Sequence, residues 1–214
     1  MNSAPSIHHE FLVHVPMLAH GAPHSVLVIG DGGGALTGLL NQYRAVGRIV
    51  RLLDDDARAG AGAQSSGGRI ETVIASPRRY LDILAADEQF DVLLMAPEET
   101  SEGEGLFDEQ FLRRCVQRLA TGGVMVIDIG DPTAHQEELR ATLGLFRKLF
   151  VDSTCYMAGG HAFCWATSDT ELRATPEEVL ARRLLAERIT PAHYTPATHK
   201  QSFNLPDEIK NLLP

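Results

Sequence analysis

A glycine-rich segment near the N-terminus carries the most specific pattern for chemistry in this sequence. Residues 25–38 read SVLVIGDGGGALTG, an apolar run followed by glycines around a single aspartate. Glycines at such a position let the backbone approach a ligand closely, and the helix that follows begins with free N–H groups. Gly30, Asp31, Gly32 and Gly34 are therefore candidate nucleotide-binding residues. The alternative is a turn in which the glycines serve only the backbone.

Polar residues after the next two predicted strands extend the same candidate site. Asp54 and Asp55 follow the predicted strand Arg48–Leu53, and a carboxylate there could hold the hydroxyls of a ribose. Ser76 follows the third predicted strand, at a position from which an acidic side chain commonly contacts adenine. Ligands of open α/β sheets lie beyond the carboxyl ends of the strands. The pattern therefore predicts a nucleotide pocket that also includes these three residues.

An acidic loop follows the fourth predicted strand, Asp91–Met95. Residues 98–104 read EETSEGE, so that Glu98 and Glu99 come soon after the strand ends. A solvated loop is one interpretation, and a rim that attracts a cationic ligand is the other. Asp128 ends the fifth predicted strand near the same pocket and could supply a further charge.

Histidines are frequent at the start of the chain, which raises the question of a metal site. A zinc site needs three or four ligands that converge with tetrahedral geometry. His9 and His14 are five residues apart, and His14 and His20 are six apart, so they share no single helical face. We therefore expect structural or surface histidines and no metal site.

The elements that must position these residues alternate between strand and helix. Such alternation predicts an α/β fold with a doubly wound, mostly parallel sheet, which a closing antiparallel hairpin extends to seven strands. We expect one domain over residues 1–214, with a tail from residue 189. The predicted strands are Val26–Ile29, Arg48–Leu53, Ile70–Ile74, Asp91–Met95, Val124–Ile129, Val151–Met157 and His161–Thr167. The predicted helices are Ser6–His20, one from the glycine segment to Arg44, Pro77–Ala86, Phe107–Leu119, Pro132–Phe150, Pro176–Glu187 and Pro206–Leu212.

Composition and charge narrow the classes of partner. The chain has 44% hydrophobic and 22% charged residues, as ordinary globular proteins do, and a formal net charge of −9. This acidic balance argues against nucleic acid and anionic membranes as partners. The N-terminus lacks the pattern of a signal peptide, and no apolar run is long enough for a membrane span. The three cysteines form no CxxC pair, so we expect buried free thiols and a cytoplasmic location.

Five segments, in order along the chain, resemble motifs of the spermidine synthases, the polyamine aminopropyltransferases. HHEFLVHVPMLAHG (8–21) resembles YHExxxHVPLLAH, and LFDEQF (106–111) resembles LFTxxF. LATGGV (119–124) resembles LxPGGI, and HAFCWAT (161–167) resembles the segment before the last helix of the family. HYTPATHKQSFNLP (193–206) resembles the tail RYYNPxIHxAAFxLP. The resemblance implies a class I methyltransferase-like (Rossmann-like) fold, with residues 189–214 packed near the pocket.

The resemblance also implies a reaction and its ligands. The family transfers an aminopropyl group from decarboxylated S-adenosylmethionine to putrescine and releases methylthioadenosine. Carboxylates must orient the cationic diamine and accept its proton. Decarboxylated S-adenosylmethionine would be a co-substrate rather than a tightly bound cofactor. Polyamines and nucleosides would be the small-molecule ligands, and the family's dimers suggest a homodimer or a protein partner.

Several residues match positions that act in the family. His9 and Glu10 match the YHE motif, and Tyr194 matches the tail tyrosine that lines the amine pocket. Glu99 falls on the second acid of the catalytic DSxDP motif, and Glu98 precedes it. The resemblance therefore implies Glu99 as the catalytic residue, with the other four as substrate-binding residues.

Other family positions have lost their functional side chain. The loop aspartate that meets the donor's amine falls on Gly33, and the ribose-binding glutamate falls on Leu53, beside Asp54. The first DSxDP aspartate, the family's proposed base, is Ala96, and the tyrosine of YHE is His8.

These changes predict weak or absent transferase activity. Three interpretations stay open: a working, minimal aminopropyltransferase; a non-catalytic member of the family that keeps the fold for binding or for regulating a partner; and an S-adenosylmethionine-dependent methyltransferase or other transferase on the same fold. The chain begins almost at the YHE motif, so we also expect the family's N-terminal β-strand domain to be absent.

Overall fold

A computed structural model describes residues 6–31, 33–53, 64–65, 68–85, 87–96 and 108–214. Five of the candidate site residues lie outside the described residues: Gly32, Asp54, Asp55, Glu98 and Glu99. The site is therefore built below from the other candidates and from the strand ends that carry them.

The described strands form one mixed sheet. They are β1 (Ser25–Ile29), β2 (Arg48–Leu53), β3 (Gln64–Ser65), β4 (Ile70–Ile74), β5 (Phe90–Met95), β6 (Leu119–Gly130), β7 (Asp152–Ala158) and β8 (His161–Thr167). Their order across the sheet is β3-β4-β2-β1-β5-β6-β8-β7. Strands β4, β2, β1, β5 and β6 pair in parallel, and β8 and β7 close the sheet as an antiparallel hairpin. The predicted seven-stranded, doubly wound sheet is confirmed, with the two-residue β3 as an unpredicted addition at its edge.

Helices cover both faces of the sheet. They are α1 (Ile7–His20), α2 (Ala35–Leu40), α3 (Pro77–Ile83), α4 (Glu109–Gln117), α5 (Gln136–Leu149), α6 (Glu177–Glu187), α7 (Pro196–Ser202) and α8 (Asp207–Lys210). None of these described helices combines the length and the apolar character that a bilayer crossing requires.

Two hydrophobic cores result, one on each face of the sheet. Val26 and Val28 of β1 pack with side chains of α1, α2 and α6, which we call the front core. Leu27 and Ile29 pack with side chains of α3, α4 and α5, which we call the back core. A central parallel strand therefore reads as a continuous apolar run, because both of its faces are buried.

Helix α2 ends earlier than the glycine-loop helix was predicted to end. It stops at Leu40 rather than at Arg44, and the next residues form a turn in which Tyr43 N–H donates to Leu40 O. The turn brings Tyr43 inward, where its side chain is buried and its hydroxyl bonds His14 at 2.7 Å. A tertiary contact between distant segments therefore ends this helix.

Helix α7 was not predicted, because prolines, histidines and threonines dominate its composition. Its start nevertheless has a sequence signal, since Thr195 is the N-cap residue and Pro196 is the first helical residue. Thr195 Oγ1 accepts from Thr198 N–H, and Thr198 Oγ1 accepts from Thr195 N–H, which completes a capping box.

Candidate functional site

The glycine loop lies at the carboxyl edge of the sheet. Gly30 and Gly34 both have a φ of 74°, a conformation that side chains other than glycine rarely adopt. Gly30 N–H donates to Leu52 O of β2, and Ala96 N–H donates to Ile29 O of β1. The loop is thereby fixed between the ends of β2 and β5, where a ligand of this fold would bind.

Asp31 holds this loop against α2. The side chain is fully buried, and its carboxylate accepts from Leu36 N–H at 3.0 Å, from Thr37 N–H at 2.8 Å and from the Thr37 hydroxyl. These bonds satisfy N–H groups at the start of α2. A contact between the Asp31 carboxylate and a ligand would require some of them to break.

The substitution Asp31→Ala should therefore destabilise the protein by about 2 kcal/mol, because the cap is lost and two buried N–H groups remain unpaired. Urea denaturation would measure the change in the free energy of unfolding. Asp131→Ala is the matched control, since Asp131 also accepts from a nearby backbone N–H but is exposed. We expect that control to cost less than about 1 kcal/mol; an equal loss would contradict the capping role of Asp31.

Four other described positions around the loop carry no carboxylate. A Cβ atom at Gly33 would meet no atom of the described residues within 4 Å, so the described part of the chain leaves this position open. Arg51 of β2 lies beneath the loop, since a Cβ atom at Gly34 would be 3.3 Å from its Nη1. Ser76 follows β4 and stands at the N-cap of α3 without a side-chain capping bond. Leu53 ends β2 in the position that the resemblance assigns to a ribose-binding acid.

Glu10 fastens the tail to α1. Its carboxylate is buried and accepts from the N–H groups of Ala192, His193 and Tyr194, each at 2.8 Å. Both carboxylate oxygens are used in these bonds, so Glu10 sets the path of the chain that carries Tyr194.

Tyr194 belongs to a buried aromatic group with two histidines. Its hydroxyl lies 2.8 Å from His199 Nδ1, and its ring contacts His14 at a centroid distance of 5.4 Å. Burial raises the pKa of Tyr194 above its ordinary value. Burial lowers the pKa of His199 to about 3 and that of His14 to about 4, so both rings are neutral at neutral pH.

Histidines from α1 and β8 meet Asp128 at the same edge of the sheet. Asp128 lies at the end of β6, and its Oδ1 is 2.9 Å from His161 Nδ1. The ring of His8 stacks on that of His161 with centroids 4.1 Å apart and an interplanar angle of 2°. His9 Nδ1 lies 2.8 Å from Ser6 Oγ. Among the described residues, no group of three or more potential ligands could hold a metal ion.

Sequence reasoning missed His161 as a candidate site residue. Its only signal was its place directly after the Gly159–Gly160 turn, at the start of a strand. Its contact with Asp128 depends on β8 pairing beside β6, which the sequence did not predict by residue.

A groove of about 500 Å³ adjoins this cluster. Its walls come from the start of α1, the β7–β8 turn and the tail, and they include Ile7, Ala158, Gly159, His193 and Gln201. The carboxyl edge therefore has the glycine loop near its middle, after β1, and a histidine cluster with this groove towards β6, β8 and β7.

Curated proteins that are similar to this chain in sequence include aminopropyltransferases. No protein-family model matches the chain. The chain is 31% identical to a polyamine aminopropyltransferase of Ruegeria sp. (strain TM1040), over 97% of this chain and 78% of the relative. It is also 31% identical to polyamine aminopropyltransferase 1 of Pseudomonas aeruginosa, over 95% of this chain and 76% of the relative.

Solved structures support the same fold. A spermidine synthase in complex with the transition state analogue AdoDATO has a TM-score of 0.78 at 23% identity, over 96% of this chain and 74% of that one. Human methyltransferase-like protein 13 in complex with SAH has a TM-score of 0.62 at 18% identity, over 87% of this chain and 94% of that one. The fold is thus Rossmann-like, of the type that spermidine synthases and class I methyltransferases share. The sequence similarity to the curated relatives decides between them: the chain belongs to the polyamine aminopropyltransferase (spermidine synthase) family.

Proposed function

We propose that this protein transfers an aminopropyl group from decarboxylated S-adenosylmethionine to a diamine such as putrescine, at a low rate. The observation that carries the proposal is the contact between Glu10 and residues 192–194, which holds Tyr194 of the family's tail motif in place. The low rate follows from Ala96 and Gly33, which replace two acids of the family pattern. Loss of a general base typically slows an enzyme by about 10²- to 10⁴-fold.

The proposed site has a donor side and an amine side. Glu99 is the proposed acid that orients the amine, and Glu98, His9 and Tyr194 are proposed substrate-binding residues. Glu10 contributes to the amine side by fixing Tyr194. The proposed donor-side residues are Gly30, Asp31, Gly32, Gly34, Asp54, Asp55 and Ser76.

Ligand binding and turnover test the proposal separately. We expect methylthioadenosine and decarboxylated S-adenosylmethionine to raise the melting temperature, since a ligand at 100 times its Kd adds about 2.7 kcal/mol to the stability. We expect mass spectrometry to detect spermidine formed with a kcat below about 1 s⁻¹, the low end of typical enzymes. A faster rate would contradict the low activity, and failure to bind any nucleoside together with no turnover would contradict the proposed reaction. Formation of S-adenosylhomocysteine from S-adenosylmethionine would instead indicate the methyltransferase alternative, which the curated relatives do not favour.

Restoring an acidic side chain at position 33 would test where the ammonium group of the bound donor lies. Gly33→Asp should tighten the binding of decarboxylated S-adenosylmethionine about tenfold, because a carboxylate at this open position can bond the ammonium group. Methylthioadenosine has no such amine, and its affinity should stay the same. Gly38→Asp is the control for the added charge, because Gly38 lies in α2 and its Cβ position is also clear of the described residues. Equal tightening by both variants would show that the amine does not lie at Gly33.

Two wider expectations accompany this function. We propose a cytoplasmic location, which the three buried free thiols Cys115, Cys155 and Cys164 support. We also propose a homodimer, or a complex with a protein partner, which light scattering on the purified chain would test.

A further inference from the structure

The carboxylate of Asp128 stands next to the position where the family's base is missing. The last paired residues of β5 and β6 are Met95 and Ile127, so Ala96 and Asp128 are the next residues on each strand. Val126 packs in the front core and Ile127 in the back core, which places Asp128 on the front face by alternation. Ala96 also packs in the front core. The two residues therefore share a face on neighbouring strands, which lie about 4.8 Å apart.

Asp128 is bonded in a way that sets the tautomer of His161. Its Oδ1 and Oδ2 lie 2.9 and 3.1 Å from His161 Nδ1, and Oδ1 also accepts from Gly130 N–H at 2.8 Å. An ionised carboxylate only accepts hydrogen bonds, so Nδ1 of His161 carries the proton. The neutral ring then has its lone pair on Nε2, which makes Nε2 the basic nitrogen.

Titratable side chains of other elements lie around His161 and its partner Asp128. Among the described residues, His8 of α1 stacks on the ring of His161 and Asp128 of β6 bonds it; His9 of α1 interacts electrostatically with His8, and Tyr156 of β7 with Asp128. Burial, with positive charge on His9 and His161, lowers the pKa of His8 to about 4, and burial raises the pKa of Tyr156. Both are therefore neutral at neutral pH, and the carboxylate of Asp128 stabilises a charge on His161. The side chain of His161 is 22% exposed and that of Asp128 10%, so the pair is partly shielded from solvent.

We propose that His161 is the base that accepts the proton of the attacking amine, and that Asp128 is its positioning residue. This inference rests on the aminopropyl transfer proposed above. The proton of the substrate's primary ammonium moves to Nε2 of His161 and leaves a neutral amine. The amine's lone pair attacks the carbon next to the sulfonium, so that a C–N bond forms while the C–S bond breaks. The electron pair of the C–S bond moves to sulfur and gives a neutral thioether, the product amine is released protonated, and the imidazolium returns its proton to water.

Steady-state kinetics on the full chain test this assignment. We expect His161→Gln to lower kcat about 100-fold with little change in the affinity for methylthioadenosine, because the base is lost and the donor site is intact. His24→Gln is the matched control, since His24 is exposed and precedes β1 at the opposite edge of the sheet. Melting temperatures would establish that each variant is folded.

Two further measurements would distinguish a role of His161 as the base from a purely structural role. Added imidazole should restore part of the activity of His161→Ala, because it can occupy the vacated space and accept the proton. Asp128→Asn should shift the rise of kcat with pH towards lower pH, because the imidazolium loses its stabilising carboxylate. The pH profile of Asp128→Asn does not depend on the folding of the His161 variants.

The outcomes distinguish this inference from the function on which it rests. If the wild type is active and both His161→Gln and His161→Ala retain its kcat within about twofold, His161 is not the base and the proposed function stands. Loss of activity in His161→Gln without imidazole rescue, and with an unmoved pH profile in Asp128→Asn, would indicate a structural role and overturn the assignment. If the wild type binds methylthioadenosine but forms no spermidine under any condition, aminopropyl transfer itself is wrong, and the assignment of a base fails with it.

Discussion

Glu10→Ala should lower the free energy of unfolding by about 3 kcal/mol, because it removes the acceptor for three backbone N–H groups. The N–H groups of the exposed residues Ala192 and His193 can bond water instead. That of the buried Tyr194 cannot, and an unpaired buried donor is costly. The tail should therefore detach from α1 before the sheet unfolds, and hydrogen exchange at residues 192–194 should accelerate.

Chemical denaturation and hydrogen exchange measured by mass spectrometry would check this result. Glu10→Gln keeps the shape and one acceptor oxygen, so we expect an intermediate loss of stability. Glu178→Ala, at an exposed position in the first turn of α6, is the control and should cost less than about 1 kcal/mol. If Glu10→Ala were no more destabilising than Glu178→Ala, the three bonds would not be what holds the tail.

Acidification from pH 6.5 to pH 5 should lower the stability by about 3 kcal/mol through the two buried histidines His14 and His199 alone. Burial lowers the pKa of His14 to about 4 and that of His199 to about 3, whereas an unfolded chain titrates near the ordinary value of 6.5. Below pH 6.5 the unfolded chain therefore binds more protons than the folded one, so stability falls as the pH falls. Each histidine contributes about 1.4 kcal/mol per pH unit once the pH is well below 6.5. The total is a large part of the 5–15 kcal/mol that is typical of a domain.

Urea denaturation at several pH values between 5 and 7 would measure this slope. His199→Phe should lower the slope by about 1.4 kcal/mol per pH unit at the acidic end of this range, whatever its effect on the absolute stability, because one titrating group is removed. His24→Gln should leave the slope unchanged, because His24 is exposed. A slope that His199→Phe does not alter would show that His199 is protonated in the folded state or titrates normally there.

Much of the sheet was predictable from local sequence. The bounds of β2, β4 and β8 agree with the prediction to the residue. Central parallel strands are buried on both faces, so they read as short apolar runs between glycine, proline and charged residues. The glycine loop and the family motifs were equally visible, because each is a contiguous segment. These local signals also sufficed to identify the family.

Only the tertiary structure decided where the charged side chains go. Glu10 bonds residues more than 180 positions away, which no spacing along the chain could indicate. Asp128 and His161 meet because β8 inserts beside β6 in an antiparallel sense. The contacts of a side chain depend on strand order and register, which arise when the whole sheet assembles. The sequence by itself determined the elements and the family, and the packing of those elements decided which groups could do chemistry together.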